Sequence, residues 1–272
     1  TMIALVLLGL VSLCSAGRPL YLADFAPSIS APRVISGIPA EDGAWPAQLS
    51  MLRERDDGWG HTCGATLINE NWALSAAHCT DGASPAQRRI QAGVNLRDDS
   101  NGQMKEIAEI IEHPDYVVGG GYPNDMCVLR FTTPVTYNEK VQPGLLPEDD
   151  GHDFAGDECF ITGWGRIDTT QDIPNDLRQG EIDVLTNTVC SSAVSNIGPY
   201  HICIRDPNSV HGACNGDSGG PIHCRASSSD PWQQVGVASW VMASGGNCLV
   251  AFPSVYGRVS YHIDWINESI GN

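Results

Sequence analysis

The sequence predicts an all-β protein, a barrel or a sandwich, closed by one C-terminal helix. Three observations carry this. Short β-rich runs, such as Ala65 to Ile68, Met126 to Phe131, Glu158 to Thr162 and Gln234 to Trp240, are separated by turns of Gly, Pro, Asn and Asp. Such spacing fits many short antiparallel strands and not the strand–helix alternation of a parallel sheet. Only at the end do apolar residues recur at helical spacing: Val259, Ile263, Ile266 and Ile270 form a face that can lie on a barrel. The 272 residues are enough for one domain or two close subdomains with a sizeable core. There is no internal repeat and no low-complexity tract.

From the N-terminus, Met2 to Ala16 is almost continuously apolar and runs into the small residues Ser15, Ala16 and Gly17. This is the pattern of a secretory signal, read as residues 1–16. The run falls short of the roughly 20 apolar residues that cross a bilayer. Residues 17–33 contain three prolines, show little periodicity and end at Arg33, so they read as an exposed propeptide. The expected location is extracellular, with no membrane association.

The charge balance is strongly acidic, with 15 basic and 32 acidic side chains and a net charge of −17. Without residues 1–33 the counts become 13 and 31, and the lysines are Lys105 and Lys140 alone. That argues against nucleic acid or an anionic membrane as partner. It fits solubility in an extracellular fluid.

Ten cysteines stand at positions 14, 63, 79, 127, 159, 190, 203, 214, 224 and 248. Cys14 leaves with the signal, and secretion makes disulfides the default for the others. Spacing alone leaves their connectivity open. A zinc site is the competing reading, but neither a C-x-x-C pair nor an H-x-x-x-H spacing is present. Cys127 is the odd residue, inside an apolar run, and reads as a small buried side chain with a free thiol.

The candidate chemistry lies in three segments. Gly212-Ala213-Cys214-Asn215-Gly216-Asp217-Ser218-Gly219-Gly220-Pro221 is a glycine-rich loop suited to holding one serine hydroxyl in the open. Leu74-Ser75-Ala76-Ala77-His78-Cys79 places a histidine after a hydrophobic run. Asn124-Asp125-Met126-Cys127-Val128-Leu129-Arg130-Phe131 places an acid at the mouth of an apolar strand. Each alone has a plain structural reading: a surface turn, a packed histidine, a cap. Together, in the order His, Asp, Ser, they match a nucleophile, a base and an orienting carboxylate.

These segments, with Gly163-Trp164-Gly165, resemble the signatures of chymotrypsin-fold (trypsin-like) secreted serine proteases over Val34 to the C-terminus. The run from His201-Ile202-Cys203 to Cys214-Asn215 also resembles annelid fibrinolytic proteases of the earthworm type. The resemblance implies two six-stranded antiparallel barrels with the catalytic residues between them, the boundary falling near residue 140. It implies Ser218 as nucleophile, His78 as general base and Asp125 as its orienting acid. It further implies an oxyanion hole from the backbone of Gly216 and Ser218, and disulfides Cys63–Cys79, Cys159–Cys224, Cys190–Cys203 and Cys214–Cys248.

Val34-Ile35-Ser36-Gly37 resembles the new N-terminus that family members acquire on activation, with Ser36 a departure at the third position. Cleavage behind Arg33 would free the amino group of Val34 to pair with Asp217. Substrate-binding positions carried over from the family are Gly212, Ala213, Ser239, Trp240, Val241 and Ser254. Gly212 stands where trypsin-like members have an Asp, so no charge would meet Arg or Lys. Val241 resembles the wall residue of elastases. The implied preference is for small or medium apolar residues before the scissile bond. A chymotrypsin-like preference for aromatic residues or Leu, or a non-catalytic secreted homologue, are the alternatives.

The implied partners are protein and peptide substrates, a trypsin-like activating protease and protease inhibitors, acting on a monomer. No cofactor or metal is expected: Gly93-Val94-Asn95 lacks the Glu that opens the calcium loop of some relatives, and Asp98 and Asp99 read as a solvated loop. Asn267-Glu268-Ser269 is an N-glycosylation sequon.

Overall fold

The computed structural model describes residues 37–167 and 173–271. The segments read as signal and propeptide, with Arg33, Val34 and Ser36, lie outside the described residues. Strand β1 (Ile38–Pro39) leads into a first barrel of β2 (Gln48–Arg55), β3 (Gly58–Asn69), β4 (Trp72–Ser75), β5 (Arg88–Ala92), β6 (Gln103–Glu112) and β7 (Cys127–Phe131). Its antiparallel ladder closes in the order β2-β3-β4-β7-β6-β5. Closure removes the open strand edges that would otherwise template aggregation. Leu49, Met51, Leu67, Leu74, Ile90 and Leu129 fill the interior, all at zero exposure. Burying one such side chain stabilises the fold by about 1.5–3 kcal/mol.

The second barrel uses β8 (Glu158–Gly163), β9 (Arg178–Leu185), β10 (His201–Arg205), β11 (Pro221–Arg225), β12 (Gln233–Trp240) and β15 (Ser254–Arg258). It closes as β8-β9-β10-β15-β12-β11, with β1 added at the edge of β9. A small hairpin, β13 (Ala243–Ser244) and β14 (Asn247–Cys248), precedes β15. Ile161, Ile182, Ile202, Ile222 and Val235 form its core. Four disulfides join Cys63–Cys79, Cys159–Cys224, Cys190–Cys203 and Cys214–Cys248. Cys127 is free and buried, its thiol donating to Ala76 O at 3.2 Å, and burial pushes its pKa up.

Two α-helices are present among the described residues, where the apolar spacing pointed to one. Helix α1 (Asn187–Ala193) is seven residues long and has little apolar periodicity. Thr186 caps it by accepting the Val189 N–H, and Cys190 ties it to Cys203 of β10. Local capping and a cross-link, not an amphipathic face, hold it. Helix α2 (Ile263–Ile270) ends at Gly271, whose φ of 77° suits a left-handed cap. Val259 and Ile266 are buried in the core of the first barrel, although the chain reaches them from the last strand of the second. An acid at Ile266 would break this strap between the barrels.

Candidate active site

His78 sits in a 3-10 turn (Ala77–Cys79) that follows the buried strand β4. Its position is set by β4 behind it and by the Cys63–Cys79 disulfide beside it. Asp125 precedes β7, which pairs with β4, so the two residues arrive together at the ends of neighbouring strands. Asp125 is 1% exposed and its carboxylate accepts three hydrogen bonds. These come from His78 N–H to Oδ1 at 2.9 Å, from His78 Nδ1–H to Oδ2 at 2.7 Å, and from Ser239 Oγ–H to Oδ2 at 2.6 Å. A buried carboxylate is stable only when so satisfied. The arrangement fixes the ring tautomer with the proton on Nδ1 and leaves Nε2 as a base.

Ser218 comes from the other barrel, in the loop before β11. The loop is held against the first barrel by Gly64 N–H donating to Ser218 O at 2.7 Å. The approach is so close that a Cβ on Gly64 would stand 2.7 Å from Gly220 Cα. Gly216 and Gly219 adopt φ values of 105° and 75°, which favour glycine. Gly219 also lies against Ser75 and Ala76, the residues that lead into His78. The Ser218 hydroxyl itself makes no hydrogen bond to the ring among the described residues; such bonds commonly tighten only with substrate.

Two backbone donors are left over by this loop. A trans peptide points its C=O and N–H in opposite directions. Asn215 O accepts from Arg166 N–H at 3.0 Å, which turns the Gly216 N–H the other way. Asp217 O accepts from Gly220 N–H at 2.8 Å, which does the same for the Ser218 N–H. Neither N–H has an acceptor among the described residues. A residue with no signal in the sequence supports this geometry. His61, 4% exposed, donates from Nε2 to Gly216 O at 2.9 Å and accepts the Ser50 hydroxyl at Nδ1 at 2.8 Å. Burial lowers its pKa to about 4, so the ring is neutral at physiological pH. The partners are 155 residues apart, too far for any motif to record.

Asp217 turns away from the cleft. It accepts the N–H groups of Gly165 at 2.8 Å and Cys214 at 2.9 Å. Desolvation pushes its pKa up to about 6 despite those two donors. The cavity beside it is lined by Gly37, Arg178 and Tyr256 among others.

A second cavity, of 160 Å³, opens beside Ser218; Ala213, Ser239, Trp240, Val241 and Val255 contribute to its lining. Gly212 and Ser254, the other two positions expected there, are not among its lining residues. Ser254 is 5% exposed, and its hydroxyl accepts the Ala213 N–H at 3.2 Å. Cys63, His78 and Cys79 cluster closely enough to hold a metal, but both sulfurs are already spent in their mutual disulfide. Asp98 and Asp99 serve loop bonds to Asn175 and Asn101.

The family profile described as Trypsin matches residues 34–266. The chain belongs to the trypsin family. Fibrinolytic enzyme isozyme C of Lumbricus rubellus is 40% identical over 244 residues, 87% of this chain and 99% of the relative. Chymotrypsin-like elastase family member 1 of Macaca fascicularis is 37% identical over 249 residues, 88% and 90% respectively. A tryptase of Mus musculus is 34% identical over 262 residues, 90% and 91% respectively. This member of the trypsin family is a serine endopeptidase, a hydrolase acting on protein substrates. Among its described residues no helix is long and apolar enough to cross a membrane.

Proposed function

We propose that the chain is a secreted precursor of an endopeptidase that cuts after small or medium apolar residues. The observation that carries the specificity is the pocket: Val241 lines the cavity beside Ser218, and Gly212, the position that the family resemblance puts at the pocket base, offers no charge. An Arg or Lys side chain would lose its hydration there without a partner. Even a few kcal/mol of that cost is roughly a hundredfold in rate.

The chemistry runs as acyl transfer. Ser218 Oγ attacks the scissile carbonyl carbon while His78 Nε2 takes its proton. The carbonyl oxygen becomes an oxyanion held by the N–H groups of Gly216 and Ser218. Asp125 stabilises the imidazolium, which then protonates the leaving amine. Water, deprotonated by the same ring, releases the acyl group and restores Ser218.

Latency follows from Asp217. Its carboxylate has two N–H donors but no cation among the described residues, and burial disfavours its charge. Gly37, three residues after Val34, lines the cavity beside it. The free amino group of Val34, made by cleavage behind Arg33, supplies the missing cation. Residues 17–33 contain no Cys, so the released peptide diffuses away. An enzyme that cuts poorly after Arg does not activate itself, and a trypsin-like protease is the activator.

The test is trypsin-activated protein on matched peptides differing only at the residue before the scissile bond. Ala, Val and Leu should lead, with Arg and Lys far behind. Efficient cleavage after Arg overturns the pocket reading, and Phe or Tyr in the lead favours the chymotrypsin-like alternative. A fluorophosphonate should label the activated protein at Ser218 and leave Ser218→Ala unlabelled; no labelling of the activated parent overturns the catalytic assignment.

A further inference from the structure

The loop that joins β6 to β7 carries the most exposed large apolar side chain among the described residues. Val118 is 63% exposed and its neighbour Val117 is 55% exposed. The chain then turns through Gly119, Gly120, Gly121 and Tyr122, all at positive φ between 53° and 93°. A Cβ on Gly119 or Gly120 would meet nothing within 4 Å. The N–H groups of Val118, Gly119 and Gly120 make no hydrogen bond among the described residues, and neither do the C=O groups of Val117, Val118 and Gly120. Those are the groups that a strand-like peptide offers to a binding cleft. Few backbone bonds and little burial mark a segment that opens at low cost. From Gly121 onward the loop is fastened. Trp240 Nε1–H donates to Gly121 O at 2.9 Å, and the Tyr122 ring stands edge-on to His78 with centroids 6.2 Å apart. No disulfide spans the loop: Cys63–Cys79 lies before it and the other three lie after it. A cut between Val118 and Gly119 therefore leaves His78 on one fragment and Asp125 and Ser218 on the other, without a covalent link. It also puts the paired strands β6 and β7 on separate fragments.

We propose that Val118 is a self-cleavage site, at which one activated copy of the chain switches off another. This rests on the apolar-pocket reading above, which makes Val an accepted residue before the scissile bond. The loop holds Tyr122 beside its own His78, so it cannot also lie across its own cleft, and a second copy makes the cut. Ser218 Oγ of that copy attacks the Val118 carbonyl carbon. The Val118–Gly119 peptide bond breaks, and the Gly119 nitrogen leaves as an amine with the proton that His78 carried. Water then releases Val118 as a carboxylate and restores the serine. The products divide the triad between two chains.

The experiment gives trypsin-activated Ser218→Ala protein, freed of trypsin, to a trace of activated parent and follows intact mass. The first cut should fall after Val118, and the two fragments should separate on a denaturing gel without reductant. Val118→Asp in the Ser218→Ala chain should slow that cut by about tenfold or more, because a carboxylate loses its hydration in an apolar pocket. Val118→Leu should still be cut. In the active enzyme, Val118→Asp should begin with the parental kcat and lose activity more slowly, and the parental loss should be second order in enzyme. A Ser218→Ala chain that stays whole while the same enzyme hydrolyses a matched Val peptide overturns the self-cleavage site, as does a first cut elsewhere. A nick after Val118 that leaves kcat unchanged overturns the switch. An enzyme that cleaves Arg peptides and spares Val peptides fails the pocket reading itself, and this proposal falls with it.

Discussion

Asp217 is fitted against Gly165. Its Oδ1 accepts the Gly165 N–H at 2.8 Å, and any Cβ on Gly165 would collide with both carboxylate oxygens. A Cβ on Gly163 would collide with Oδ1. Between them Trp164 is fully buried and donates from Nε1 to Asn95 O at 3.0 Å, which pins the run in place. The two glycines are the walls of a seat for the carboxylate next to Ser218, the proposed nucleophile.

Gly165→Ala should therefore cost activity without unfolding the protein. Asp217 would have to leave its seat, and the Gly216 and Ser218 N–H groups would move with it. Loss of one such donor costs about 10²–10³ in turnover. A kcat within tenfold of the parent, normalised by fluorophosphonate titration of the reactive serine, would count against the seat.

Arg33→Gln should yield a secreted but latent protein. No amino group is freed at Val34, and the Asp217 carboxylate stays without a cation. Mass spectrometry must show residues 17–33 still attached; full activity in that uncleaved protein would refute the latency mechanism.

Ser239→Ala removes the 2.6 Å donor to Asp125 Oδ2 and leaves the two His78 donors in place. A hydrogen bond to a charged group is worth about 1.5–3 kcal/mol, so kcat should fall about tenfold or more with a smaller change in KM. An unchanged kcat would mean that the His78 bonds alone hold the carboxylate.

Stability should fall as the pH drops from about 6.5 toward 4. Burial lowers the pKa of His61 and His262 to about 4 and of His223 to about 3. In that window the unfolded chain takes up protons that the folded chain refuses. Each group then contributes a slope of up to about 1.4 kcal/mol per pH unit. Asp217, raised to about 6, acts the opposite way: without its cation, stability is lost as pH rises from about 4 to 6. One group opposes three, so the histidines prevail. Urea unfolding of Ser218→Ala at pH 7 and pH 5 reads the difference, and adding His223→Gln should shrink it. Equal midpoints at both pH values would contradict the sign.

The residues proposed to do the chemistry were legible in the sequence because chemistry constrains residue type over a few adjacent positions. The loop around Ser218, the turn at His78 and the Asn124-Asp125 pair each carry their own requirement locally, and the alternation of short strands with turns is also a local property. The seven-residue helix α1 was not legible, because Thr186 and the Cys190–Cys203 cross-link hold it without any apolar stripe. His61 was not legible either. Nothing beside His61 in the chain points to Gly216. Its role exists only once barrel closure brings distant segments into contact. Side-chain packing depends on three-dimensional neighbours, and a linear pattern records only those within a turn or a strand pair.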